Sequence, residues 1–302
     1  MSTPFNQWVI EEFRANGGKV GGPFEGGDLL LLTTTGARSG EERTTPLGYI
    51  RHERGLLVVG SNLGGPCHPA WYHNLVATPL VRVETGTEEY EAIAVPAEGE
   101  DRDHLFSYVV NAEPGYGEYQ EKTDRILPVV VLERSDPAPG EGPGTVRNLA
   151  DKLIEVHVWL RGQLRHVRAE ADAYFTARAA RQNGDDEPVP GLGLQIRQHC
   201  LAFCQTLEFH HMSEDAHVFP AMEAAHPRLK DAFERLRSEH RTVARLQQEL
   251  AALLTDIAQA DPERFRAGLE RMTEELTAHL DYEEEQLIPV LAEIPFPPGP
   301  PA

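Results

Sequence analysis

Residues 135–144, SDPAPGEGPG, are a run of Pro, Gly and acid with almost nothing to bury, and the hydrophobic period changes across it. Before it, short apolar or alternating runs are punctuated by Gly and Pro. LLLLTT (29–34), TPLGYIR (45–51), LLVVGS (56–61), LVRVET (80–85), EAIAVP (91–96) and PVVVLE (128–133) read as strands. AWYHNLVA (70–77) and DRDHLFSYVVNA (101–112) read as helices between them. After it, a 3.6-residue period takes over. The expected organisation is a barrel-like α+β domain over 1–134, a linker over 135–145, a four-helix bundle over 146–293, and a disordered tail over 294–302.

The bulk properties exclude some classes. No apolar run approaches the ~20 residues of a membrane span, and Glu11 and Glu12 break the first thirty residues, so a signal peptide is not expected. A cytoplasmic protein with no integral membrane segment is the expectation. Lys and Arg number 11 against 22 Asp and Glu before residue 145, and 17 against 26 from there on. The acidity is shared by both halves and argues against nucleic acid as a partner. Three cysteines imply no disulfide framework, and Cys200 and Cys204 read as small apolar residues on one helix face.

Histidine is the skewed residue, with nine of thirteen after residue 150. Four helical stripes run through the second half, and each carries one at a core position. They are Leu149-Leu153-His157-Leu160-Leu164-Val167, Ile196-Cys200-Phe203-Leu207-His210-Glu214, Leu229-Phe233-Leu236-His240-Val243-Leu250, and Phe265-Leu269-Met272-Leu276-His279-Glu283-Leu287-Val290. Burying such polar groups costs a few kcal/mol each unless something pairs them, and a metal does so. His210 and Glu214, like His279 and Glu283, are four apart on one face, about 6 Å from each other. Two carboxylates can bridge two ions while imidazoles fill outer positions, a donor set that suits iron, with zinc or manganese also admitted.

Helical phase sorts the remaining histidines. His166 lies nine residues, about 900°, beyond His157 and faces away. His211 is turned about 100° from His210 and reads as a flank residue, with Asp215 at the surface. His217 returns to the inner face, one turn from Glu214, as a candidate hydrogen-bond partner of that carboxylate. HHMSEDAHVFP (210–220) and HLDYEEEQLIP (279–289), with the lone His157 and the EH pair at 239–240, resemble the hemerythrin-like (HHE cation-binding) family over about residues 146–293. The resemblance implies two iron ions per chain held by His157, His210, Glu214, His240, His279 and Glu283. Oxygen-carrying members have two histidines one turn apart on the third helix, whereas Leu236 and Ala244 flank His240 here. One imidazole fewer implies an open or water-filled coordination position, and chemistry with oxygen, peroxide or nitric oxide, or iron sensing.

TTTGARSGEERTTPL (33–47) has the form strand, Gly/Ser turn, strand, with Arg38 and Arg43 beside backbone N–H groups that could cradle an anion. It does not fit a nucleotide P-loop. GGKVGGPFEGG (17–27) is either a disordered arm or a loop whose backbone approaches something closely. RANGGKVGG, LLLLTTTGARSG with RTTPL, GSNLGG with HPAWYHNL, and YGEYQEKTDRILPVVVLER resemble the deazaflavin-dependent nitroreductase and quinone reductase family, a split β-barrel, over about residues 5–134. The resemblance implies coenzyme F420, its phosphate held by Arg38, Ser39, Gly40 and Arg43. It places Ser61, Gly64, Gly65, Trp71 and Asn74 beside the ring, and Tyr116 and Tyr119 facing the substrate; Ser61 and a tyrosine hydroxyl are then candidate donors to the acceptor oxygen. Ala37 and Asn62 stand where basic residues are frequent in that family, which lowers the positive field around the cofactor.

The expected function is hydride transfer from reduced F420 to a quinone-like or nitro-compound acceptor, joined to a diiron domain. The alternative is a diiron binding or sensing protein whose barrel is degenerate or holds FMN. Split-barrel relatives often dimerise, which leaves a homodimer open.

Overall fold

The computed structural model describes residues 4–135, 145–180, 192–255, 257 and 259–296. Its contacts divide the chain into two compact units, 1–136 with 185–202 and 137–184 with 203–302. Most of the linker expected over 135–145 lies outside the described residues. Of the tail expected over 294–302, residues 297–302 lie outside them, while Leu149 N–H donates to Ile294 C=O and Phe296 N–H to Arg147 C=O.

The first unit contains helix α1 (Pro4–Ala15), strands β1 (Leu29–Thr35), β2 (Glu42–Gly48), β3 (Ile50–His52) and β4 (Gly55–Val59), helix α2 (Ala70–Ala77), strands β5 (Leu80–Thr85) and β6 (Glu88–Pro96), helices α3 (Gly99–Ala112) and α4 (Gly115–Glu121), and strand β7 (Val129–Arg134). The strands pair antiparallel into one sheet of order β2-β1-β5-β6-β7-β4-β3. The stretch 45–51, expected as one strand, is therefore two. Gly48 ends one edge strand and Ile50 begins the other, with only Tyr49 between them. Two residues span at most about 7 Å. The sheet must curl until its edges meet, which makes it a split barrel.

Side-chain alternation then separates two faces. Leu30, Leu32, Val58, Val81, Val83, Ala92, Ala94, Val130 and Leu132 form one cluster that Trp71 and Leu75 of α2 complete. The opposite face is covered in patches. Leu29 and Leu31 meet Val9 and Phe13 of α1, while Val129 and Val131 meet Leu105 and Val109 of α3. Ile93 and Val95 meet Ala202, and the buried Gln198 amide donates to the carbonyls of Leu75 (3.0 Å) and Ala94 (3.1 Å). Being buried on both faces explains why β1 reads as an unbroken apolar run.

The second unit comprises α5 (Leu149–Ala180), α6 (Leu192–Ser213) from Phe203 on, a π-helical turn (Glu214–Val218), α7 (Phe219–Ala225), α8 (Lys230–Leu254) and α9 (Pro262–Leu291). Pro220 explains the π turn: it has no N–H to give and its ring would strike the carbonyl four residues back. The helix instead closes a wider turn, Phe219 N–H donating to Glu214 C=O. Asp261 caps α9 by accepting from Arg264 N–H at 2.7 Å, ahead of Pro262 at the first turn.

The glycine-rich stretch 17–27 resolves as a close approach. Gly18 has φ +88°, and a Cβ there would lie 2.4 Å from Gly86 Cα. Gly18→Ala is expected to cost about 2–4 kcal/mol, combining left-handed strain with backbone collision. Gly26→Ala, at φ +78° with open space around it, should cost only about 1 kcal/mol. Denaturant melts of the two variants distinguish collision from strain.

Candidate functional site

In the first unit, the β1–β2 hairpin turn and the start of α2 enclose a groove of about 880 Å³ lined by Arg38, Ser39, Arg43, Trp71, His73 and Asn74, among others. The turn is internally braced: Gly36 N–H donates to Glu41 C=O (2.9 Å) and Gly40 N–H to Gly36 C=O (2.8 Å), with Gly40 at φ +67°. Asn74 ties it to α2, its Oδ1 accepting from Ala37 N–H (3.1 Å) and its Nδ2 donating to Thr34 Oγ1 (3.1 Å). That amide is thus committed to holding the turn. Arg43 is ion-paired with Glu41 and Arg14 with Glu84 (2.6 Å), whereas Arg38 has no side-chain partner among the described residues. A groove with a free guanidinium and a braced glycine turn at its rim has the donor chemistry for a phosphate-bearing ligand of cofactor size.

Ser61, Gly64 and Gly65 are not among those lining residues; they sit on a short turn with Asn62 and Leu63 both left-handed (φ +46° and +54°). Two such non-glycine residues in succession are strained, and the surroundings hold them. Arg125 donates to Ser61 C=O (2.6 Å) and Gly65 C=O (2.8 Å), and Asn62 Nδ2 donates to Cys67 C=O (3.0 Å). A Cβ on Gly64 would meet Lys122 and the Tyr119 carbonyl, so the turn packs on α4. Tyr116 and Tyr119, on α4, have ring centroids 6.2 Å apart and pack against the α3 cluster. Burial raises the pKa of Tyr116, which keeps its hydroxyl protonated. Arg125 escaped sequence reading because its role depends on a turn sixty residues away.

In the second unit, six expected ligands converge at mid-bundle. His157 (α5), Glu214 (π turn), His240 (α8), His279 and Glu283 (α9) are buried, and His210 (α6) nearly so. His157 Nε2 and His210 Nε2 point at each other across 3.1 Å. With Glu283 they form one group of donor atoms all within 4.8 Å; His211, His240 and His279 form another. The carboxylates reach both groups. Glu214 Oε1 lies 3.3 Å from His210 Nε2, and its Oε2 lies 3.5 Å from His240 Nε2. Glu283 Oε2 lies 3.4 Å from His157 Nε2 and 3.7 Å from His279 Nε2.

His211 corrects the sequence reading. It is 6% exposed, its ring stacked on His240 with centroids 4.0 Å apart. Phase measured from His210 alone misled: relative to Glu214, His210 lies about 40° to one side and His211 about 60° to the other. An inward stripe about 100° wide admits both. The fifth imidazole, missing from the third helix, comes from α6. His217 moves the other way and is exposed, because the π turn rotates the chain beyond Glu214 by about one residue's worth of phase. Asp215, read as surface only, hydrogen-bonds His240 Nδ1 at 3.0 Å. His166 faces out as expected.

The electrostatics of the cluster suit a cation. Burial holds His210 neutral, its pKa lowered to about 3, and likewise depresses His211 and His240. Burial opposes charge on His157, but Glu283 and Glu284 outweigh it and raise its pKa. Burial and the neighbouring Glu283 push Glu214 up, while Glu283 is held down, against its own burial, chiefly by His157. Glu214 Oε2, Glu283 Oε1 and Oε2, and Nε2 of His211, His240 and His279 have no hydrogen-bond partner among the described residues. So many orphaned, inward-facing donor atoms, imidazole and carboxylate together, fit metal of iron, zinc or manganese type. His211→Ala is expected to lower bound metal from about two ions toward one per chain, and His217→Ala to leave it unchanged, by elemental analysis.

Comparison with known proteins agrees with both halves. Residues 7–134 match the model of the F420H(2)-dependent quinone reductases, and residues 148–291 that of the hemerythrin HHE cation binding domain. An F420H(2)-dependent quinone reductase of Mycobacterium tuberculosis is 38% identical over 126 residues, 40% of this chain and 85% of that protein. A putative F420H(2)-dependent quinone reductase of the same species is 33% identical over 103 residues, 34% of this chain and 87% of that protein. A solved F420-H2 dependent reductase (FDR-A) is 42% identical, with 35% of this chain and 94% of that chain covered at a TM-score of 0.33. The chain belongs to the F420H(2)-dependent quinone reductase family of enzymes, carrying after that domain a hemerythrin HHE cation binding domain.

Proposed function

We propose that the first unit binds reduced coenzyme F420 and reduces a quinone-like or nitro-compound acceptor, while the second holds two iron ions. The observation that carries the first reading is the groove, where the free Arg38 stands at the rim of a turn that Asn74 braces against α2. Arg38, Ser39, Gly40 and Arg43 would hold the cofactor's phosphate. Trp71, fixed by the barrel core, and the turn carrying Ser61, Gly64 and Gly65 would flank its ring. Reduced deazaflavin, when bound, supplies the hydride. Ser61 and the hydroxyls of Tyr116 and Tyr119 would donate hydrogen bonds to the oxygen that becomes negative on the acceptor.

For the second unit, the reading rests on five imidazoles and two carboxylates around one buried space. The His157–His210 side has one imidazole fewer than the His211–His240–His279 side. A small exogenous ligand such as oxygen, peroxide or nitric oxide would find its room there. No helix among the described residues is long and apolar enough to cross a membrane.

Deazaflavin hydride transfer moves two electrons at once, whereas iron changes by one, so the two chemistries are separate in this reading. Purified chain mixed with reduced F420 and menadione should oxidise the cofactor; absence of oxidation overturns the reductase reading. Arg38→Ala should raise the KM for the cofactor about tenfold or more with metal content unchanged, the loss expected for one charge-assisted phosphate contact. Removing the metal with a chelator should leave menadione reduction at the full rate.

A further inference from the structure

Three acids beside the metal ligands have no role in the donor set described above. Glu284 follows Glu283, Asp215 follows Glu214, and Glu239 precedes His240. Neighbouring residues on a helix point about 100° apart, so when one faces the bundle axis the next faces an adjacent helix. Each of these acids meets an imidazole there. Glu284 of α9 lies 2.8 Å from His157 Nδ1 of α5. Asp215 of the π turn lies 3.0 Å from His240 Nδ1 of α8, and Glu239 of α8 lies 3.0 Å from His279 Nδ1 of α9. The imidazoles are buried, while the acids reach the bundle surface. Two are gripped from outside: Arg161 donates to Glu284 at 2.6 Å and Arg235 to Glu239 at 2.7 Å.

Resting on the two-metal reading above, we propose that Asp215, Glu239 and Glu284 are positioning residues that keep metal in the bundle, each orienting the ligand imidazole of a neighbouring helix. The chemistry is that of a carboxylate, which only accepts hydrogen bonds when ionised. Nδ1 must then be the donor, so a neutral ring carries its lone pair on Nε2, the atom that faces the centre in all three residues. The carboxylate also makes the imidazole a stronger donor to the metal. Because each acid is the chain neighbour of a ligand on a different helix, a helix that moved would displace its own ligand and release another helix's imidazole together. Retention of metal is thereby coupled to the packing of α5, α8, α9 and the π turn.

The test uses the full chain loaded with Fe(II) without oxygen, with release to an excess of a coloured ferrous chelator followed by absorbance. A wild-type chain that takes up no iron overturns the two-metal reading itself, before any variant is compared. Given loading, Asp215→Ala, Glu239→Ala and Glu284→Ala should each release iron about 10- to 100-fold faster than wild type. Asp215→Asn and Glu284→Gln keep an amide oxygen that can still accept from Nδ1–H, and should release at rates between wild type and the alanine variants. Glu285→Gln, the same change of charge at an exposed neighbour, should release at the wild-type rate. Thermal melts of the metal-free proteins accompany each rate. Wild-type release rates in the three alanine variants, with melting temperature alone lowered, would show helix stapling without a role at the metal and overturn the proposal.

Discussion

Two carboxylates and five imidazoles occupy the middle of a helical bundle whose remaining core is apolar, and the arrangement of the second unit answers to that constraint. Leu153, Phe219, Phe233, Leu236 and Leu287 close one side of the cluster, and Leu160, Leu207, Val243 and Leu276 are buried along the same helices. The cluster is shielded from bulk solvent, so its polar atoms need partners inside the bundle. They do not satisfy each other, since six of them are orphaned while the outer Nδ1 atoms of three imidazoles are paired. Fixing ring orientation from outside and leaving donors free inside is the arrangement of a site held ready for metal.

The first unit is organised by a chain constraint. Tyr49 joins the two edge strands of one sheet, so the sheet must curl, and the curl leaves its concave face to be filled by Trp71 and Leu75. Filling that face anchors α2, and α2 in turn carries Asn74 to the hairpin turn at the groove. Core packing and the anion-binding candidate are therefore one mechanical unit. The strained turn at Asn62 and Leu63 is held in a different way, by a guanidinium that takes a carbonyl from each end.

Much of this was legible in the sequence. The strand runs of the first half and the helical stripes of the second fall where periodicity puts them, because burial on one face imposes a period that tolerates little noise. His157, His210, Glu214, His240, His279 and Glu283 were legible for the same reason, as polar residues at core positions. His211 and His217 were misassigned because phase arithmetic assumed an unbroken α-helix and a narrow stripe. Pro220 was the available signal, since a proline there requires the ladder to change. The division of 45–51 into two strands on opposite edges had only Gly48 to announce it, and a single residue between edges carries no periodic signature.

By itself, the sequence determined the apolar runs and stripes that form the core, where the organisation changes near residue 135, and most of the side chains that are polar in apolar company. Those properties follow from local period and composition, which every window of the chain carries. Tertiary structure decided how the polar side chains pair. Which carboxylate spans two groups of imidazoles, which acid holds which ring, and that Arg125 pins a turn sixty residues upstream all depend on distances between segments remote in the chain. Those distances are set by how the sheet curls and how the helices pack, and no local window contains them.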